Sequence, residues 1–452
     1  MILNLLVILS LVLSWTLLSS QPKYDYLHPA QYLDRQPLGD KREVKQLVKP
    51  QTIIFHYGNK KYTGATPDST TYRVTSREMD KWYFFNLKKV HLPAENLKEI
   101  MSNRKAMEII FPDEIPADLM GELFTFRGKT ENILPAVKRI IIYIDDTDKE
   151  TYALFCDNMG SQVQGRTAIT SRDLEQFYLS MGNTLPSFMP VTLGKEEDIS
   201  PTYIPNQEIT MQEYRYFFQP ILVSQMMQTL FVDPSMVRQV TERDGTIIYT
   251  DGSKAVQIPP DLRSIHYHDP VADSVAPTVS ENHFHSVLNF LNEHGGWNGD
   301  YLLEEMKRLP TDGVETYQFR QYVGSYPFYG VKKGLLGSIE VETQGSYVSG
   351  FQRSLVNLDS SINHQNVKVI SGQELLTKLT ELGIHLEDIS DLLLGYQAKI
   401  NENHLILSPK WIIKQEGKDP VFIEATAADK KEDSHGLEKG EDHTNHSVPP
   451  IG

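Results

Sequence analysis

Residues Ile2 to Leu18, ILNLLVILSLVLSWTLL, contain no charged side chain, and the first charge comes only at Lys23. At about 1.5 Å rise per residue, such a run approaches the shortest helices that cross a hydrocarbon core of about 30 Å. Placed ahead of a long polar chain, it divides the protein into a membrane segment and a water-soluble body. It is long for the apolar part of a cleaved signal. No basic residue precedes it, and Ser19 and Ser20 run into Gln21 and Pro22 without an A-x-A cleavage pattern. The expectation is an uncleaved anchor over residues 1–22, with Trp15, Tyr24 and Tyr26 at the outer aromatic belt. Ser10 and Ser14 stand four apart and form a small-residue face on which another helix can pack closely. Positive charges follow the run (Lys23, Arg35, Lys41, Arg42) and none precedes it. Counted alone, that bias keeps the body in the cytoplasm; a basic leader upstream of Met1 would reverse it.

The 452 residues carry 59 Asp and Glu against 44 Lys and Arg, a formal charge of −15. Nucleic acid calls for cationic stripes facing phosphates, so this balance argues against it as a partner. The length implies several domains. Cys156 is the single cysteine, which rules out an intramolecular disulfide and the class of disulfide-stapled small secreted domains.

Periodicity sets an α+β pattern with mainly antiparallel hairpins. After a polar stalk over 23–49, Thr52 to Tyr57 alternates as a strand. Ser76 is placed to cap a helix running Arg77 to Lys89, and Leu92 to Met101 is amphipathic. Arg139 to Ile144 and Tyr152 to Phe155 flank an Asp-rich turn as a hairpin, and Thr170 opens a short helix to Met181. Glu213 to Phe231 is read as one helix broken or kinked at Pro220. Asp244-Gly245 and Asp251-Gly252, set between apolar runs, mark a meander that ends in a strand at Ile265 to His268. Next come a helix from Glu281 to Glu293, strands at Tyr317–Val323, Leu336–Thr343 and Tyr347–Leu355, and a helix from Ser371 to Leu382 stopped by Gly383. Leu394–Ile400 and Leu405–Ile413 close as a hairpin. Past Gly417 the chain is charged and poor in apolar residues, and 418–452 is expected to be a disordered tail.

The chemistry-bearing residues are sparse. His266 and His268 share one face of a strand, a geometry open to a metal ion, but no third ligand or H-E-x-x-H helix accompanies them. His283 and His285 diverge by about 200° on a helix. Asp145, Asp146 and Asp148 lack the glycine and distal Glu of a calcium loop and read as turn residues. Cys156 sits in an apolar strand without a base. No nucleophile elbow, phosphate loop or dinucleotide-binding glycine set occurs. No catalytic residue, metal site or cofactor is assigned, which favours a binding or regulatory protein. A metal-dependent hydrolase using His266 and His268, or an extracytoplasmic ligand sensor, is the alternative.

The order of short stretches resembles the YycH family, membrane-anchored accessory proteins of the YycG/WalK sensor kinase system in low-GC Gram-positive bacteria. The stretches are Ser14-Trp15, Gln21 to Tyr26, Leu230 to Ser235, Asp244 to Ser253, Leu394 to Tyr396 and Leu407 to Trp411. The resemblance implies a single-pass anchor in the cell membrane and three extracytoplasmic α/β domains. The boundaries expected for these are an N-terminal domain at 50–198, a middle domain at 199–275 and a C-terminal, YycI-like domain at 276–417. It further implies partnership with a YycI-like companion and the kinase, control of cell-wall metabolism, and no catalytic residues. The sign of the regulation does not transfer.

Overall fold

The computed structural model describes residues 37–426 apart from 129–132, 135, 195–200, 271–282, 309–312, 331–334 and 402–403. It also describes Val7, Leu9, Ser10 and Trp15, which are helical, and the strand Asp25–Tyr26. Among these residues two large sheets form, both mainly antiparallel.

The first sheet has ten strands. Its centre is Thr52–Tyr57, Lys105–Ile115, Val137–Ile144 and Thr151–Cys156, each antiparallel to the next. These strands are nearly continuous apolar runs because both faces are covered. In Val137–Ile144, Ile140 and Ile142 enter the main core, while Ile141 and Tyr143 face the helix Ala94–Asn103 on the other side. The second sheet has fifteen strands. It begins with the meander Arg238–Thr241, Ile247–Thr250, Ala255–Ile258 and Ser264–His268, and continues through Tyr347–Ser354, Ser338–Gln344 and Val314–Val323. A single parallel pairing, Tyr326–Gly330 with Asp391–Asn401, carries the sheet into the hairpin Asp391–Asn401 and His404–Lys414. The strands Ile209–Pro220 and Val356–Val369 complete that end.

Two sequence expectations are corrected. Glu213 to Phe231 is not one helix: Ile209–Pro220 is a strand and Val223–Leu230 a separate helix. Tyr214, Tyr216 and Phe218 recur every second residue and pack on a core, so the strand period prevails, and Pro220 closes the strand. Likewise the helix expected at Arg77 to Lys89 ends earlier. It runs Thr70–Met79 with Ser69, not Ser76, accepting the Tyr72 amide, and Tyr83–Val90 is a strand. The aromatic run Tyr83-Phe84-Phe85 suits a sheet, where Phe84 is buried. Strands at Asp300–Arg308 and Val356–Val369 were not anticipated; the exposed face of the latter is polar and shows no apolar alternation.

The expected stalk and tail also reach into the folded body. Val44, Leu47 and Val48 are buried in the main core beside residues of both sheets. After Gly417, Val421–Glu424 pairs with His404–Lys414, Ile423 and Ala425 are buried, and Ile370 donates its amide to Ala425 O at 2.7 Å. The tail beyond residue 426 lies outside the described residues. Ending the chain at Gly417 should therefore cost about 2–5 kcal/mol, the range for emptying a buried isoleucine position. Ending it at Thr426 should leave the urea midpoint unchanged. Equal midpoints for both truncations would show that the last strand adds nothing.

Candidate functional site

The membrane-segment residues singled out above fall at the margin of the structure. Ser10 and Trp15 are helical and exposed, Trp15 at 75%. Tyr26 pairs with Arg238 in a two-residue strand, and Ser14 and Tyr24 lie outside the described residues. Among the described residues no helix is long and apolar enough to cross a membrane; most of the run Ile2 to Leu18 is not among them.

The histidine pairs do not converge. His266 and His268 do share a strand face, opposite buried Ile265 and Tyr267. Burial holds the half-buried His266 ring below its ordinary value. Among the described residues no group of three His, Cys, Asp or Glu side chains is placed to hold a metal ion. His283 Nδ1 lies 3.2 Å from Glu315 Oε2, and His285 Nε2 lies 2.6 Å from Glu122 Oε1, on the first sheet's side of the molecule. Asp145 and Asp148 shape their own turn: Asp145 accepts from the Thr147 amide and from Arg104, and Asp148 from the Glu150 amide and Tyr152. Burial pushes the Cys156 thiol up to about 12, which leaves it protonated and unreactive.

The structure instead assembles ion clusters that the sequence did not flag. One centres on Glu304. It accepts from Arg320 Nε at 2.7 Å, Lys414 Nζ at 2.7 Å and Tyr329 Oη at 2.5 Å, and its side chain is 8% exposed. Burial pushes its carboxyl up, but Arg320 and Lys414 outweigh burial and hold it well below the usual carboxylate range. The Arg320 guanidinium also covers the Tyr329 ring, 4.2 Å from its centre. All four residues belong to the second sheet. Nearby, Asp113 of the first sheet accepts the Met306 amide at 2.7 Å, and Lys138 donates to Pro112 O while feeling the charges of Asp391 and Asp113. Within the first sheet, Glu108 accepts from Arg139 at 2.6 Å and lies 3.0 Å from His56 Nε2, all three being buried. Burial raises the Glu108 carboxyl, yet Arg139 and His56 keep it low overall.

A signal existed for one of them: Glu108 is a lone charge inside the apolar run Ala106 to Phe111, whereas Glu304 and Arg320 sit in strands of mixed polarity. Their partners come from strands far apart in the chain and could not be matched beforehand. Each carboxylate is engaged by cations, so none is poised as a base. They act as fasteners, and the Glu304 cluster ties Lys414 of one strand of the second sheet to Asp300–Arg308, Val314–Val323 and Tyr326–Gly330 of the same sheet. Two shallow hollows lie on the surface, one of about 390 Å³ beside Lys89, His91 and Met159 and one of about 380 Å³ beside Trp82, Phe177 and Tyr178.

The molecule is thus an α+β protein of two large, mainly antiparallel sheets that share an apolar core. The chain belongs to the YycH family: the YycH N-terminal domain matches residues 1–184 and the YycH C-terminal domain residues 200–426. It is 19% identical to the "Two-component system WalR/WalK regulatory protein YycH" of Bacillus subtilis (strain 168), covering 92% of this chain and 94% of that protein. The crystal structure of YycH from Bacillus subtilis superposes with a TM-score of 0.68 at 17% identity, covering 84% of this chain and 97% of that one. The shared fold includes both sheets, since 84% of this chain exceeds what either contributes alone.

Proposed function

We propose that this chain is an extracytoplasmic regulator of a WalK-type sensor kinase, held at the cell membrane by residues 1–22 and acting with a YycI-like companion. On this reading it catalyses no reaction, and its output is control of cell-wall metabolism. The observation that carries the proposal is the similarity, over 92% of the chain, to a protein described as a WalR/WalK regulator. Physical considerations support it. Anchoring two partners in one membrane raises their effective concentration, so modest contacts suffice. A kinase balanced between two states responds to a small difference in affinity for them.

The membrane segment is proposed to contact helices of the kinase or the companion through Ser10 and Ser14. Replacing both by Leu adds bulk where backbones approach and should cost about 1–2 kcal/mol. That shifts a balanced kinase several-fold. Replacing Leu9 and Leu13 by Ile should do little. The test is recovery of the kinase with the full chain after cross-linking in membranes, with protein levels checked by blot. Undiminished recovery after exchange of the whole segment for an unrelated spanning helix would reduce residues 1–22 to a tether.

A further inference from the structure

We propose that one end of the meander, the paired turns at 242–246 and 259–263 with Leu262 at the tip, rests against the membrane surface and inserts Leu262 among the lipids. The inference depends on the anchoring proposed above, and three observations carry it.

The first is direction. Asp25 pairs with Gln239 and Tyr26 with Arg238, antiparallel. A chain entering this strand from residue 24 therefore comes from the Thr241 end of Arg238–Thr241. Thr241 pairs with Ile247 and Ile247 with Ile258, so the turns at 242–246 and 259–263 share that end. A Cβ on Gly245 would lie 3.4 Å from the Pro260 side chain, which shows the two turns to be neighbours. The turn at Asp251 to Ser253 lies at the opposite end.

The second is reach. Only residues 19–24 separate the apolar run from Asp25. Fully extended, the path from Leu18 to Asp25 spans at most about 25 Å. The turns project beyond Gln239 in the same direction by about four residues, or about 14 Å at strand rise. The tip is thereby held close to the level at which the apolar run ends.

The third is Leu262 itself. It is 50% exposed, and its backbone has φ +55, the left-handed region that γ-branched residues avoid and Gly or Asn adopts readily. Its amide closes the turn onto Pro259 O at 2.9 Å. Single exposed apolar residues are common on a soluble surface; what marks Leu262 is that exposure and a left-handed backbone coincide at the end from which the apolar run enters. Arg243 and Arg263 flank it, but Glu242, Asp244 and Asp261 share the rim and all are exposed. The contact is therefore apolar, made at the headgroup and acyl boundary, and indifferent to lipid charge.

The test uses the full chain in vesicles of phosphatidylcholine, with and without phosphatidylglycerol. A polarity-sensitive fluorophore is attached at Leu262→Cys or, at the far end, at Ser253→Cys; buried Cys156 stays unlabelled. Quenchers are carried on the lipid acyl chains. The expected result is several-fold stronger quenching at 262 than at 253, equal in both lipid mixtures. If the chain floats with the vesicles but 262 is quenched no more than 253, this inference is overturned and the anchor stands. Quenching at 262 only with phosphatidylglycerol would replace the apolar contact by an electrostatic one. A chain that fails to float removes the anchor, and this inference with it.

Discussion

Replacing Glu304 by alanine is expected to lower the stability of the chain by about 3–5 kcal/mol, the range for breaking a buried ion pair from one side. The cost arises from what remains. Arg320, 8% exposed, and Lys414 lose the carboxylate that both reach at 2.7 Å, and the Tyr329 hydroxyl loses its acceptor. Glu304→Gln keeps an acceptor but removes the charge, so its loss should be smaller. The pH dependence has a definite sign. Because the folded carboxyl is held below its ordinary value of 4.5, its contribution is complete above that pH. It drains away as pH falls below 4.5 toward the folded value. Urea midpoints followed by tryptophan fluorescence should therefore separate wild type from Glu304→Ala widely at pH 7 and less at pH 3. A midpoint at pH 7 indistinguishable from wild type would mean that this cluster does not hold these strands of the second sheet together.

Trp297→Ala should be comparably costly, about 3–5 kcal/mol as for other buried aromatics cut to alanine. The ring is 2% exposed and meets Phe319 edge to face at 4.9 Å. Its Nε1 donates to Asn292 Oδ1 at 3.0 Å, and Asn292 exchanges hydrogen bonds with the Arg42 backbone at 2.9 Å in each direction. The Trp297 amide donates to Asp40 O at 2.9 Å, and the Gly39 amide to Gly295 O at 3.0 Å. The approach is so close that a Cβ on Gly39 would lie 2.1 Å from Trp297 O. This clasp fixes the segment that joins the apolar run to the body. The variant should consequently expose Lys41 and Arg42 to trypsin before the rest of the body is cut. Stability loss without earlier cleavage there would show that the ring supports the core but does not hold the segment.

Legibility in the sequence followed the range of the signal. The meander with its two Asp-Gly turns, the hairpin after Leu394 and the helix capped by Ser371 are local patterns, and the structure has them. The strand period of Tyr214, Tyr216 and Phe218 was masked because Tyr214, Phe217 and Ile221 also fit a helical face. The stretch at 421–424 was read as tail because one short strand among charged residues carries too little apolar surface to stand out. Its reason for ordering is Trp411 on the neighbouring strand, paired with Ile423. The Glu304 cluster was invisible for a different reason, since Arg320 and Lys414 arrive from different strands. The metal reading of His266 and His268 rested on a shared strand face, which exists, but no third ligand joins it among the described residues.

The most direct test of the proposed role is the output of a WalR-dependent reporter in cells that lack this protein. Its loss should shift the reporter, and the full chain, expressed at native level, should return it. The same body delivered with a cleavable signal in place of residues 1–22 should not return it. A reporter that stays at the wild-type level when the protein is absent would rule out a regulatory role for it in this system.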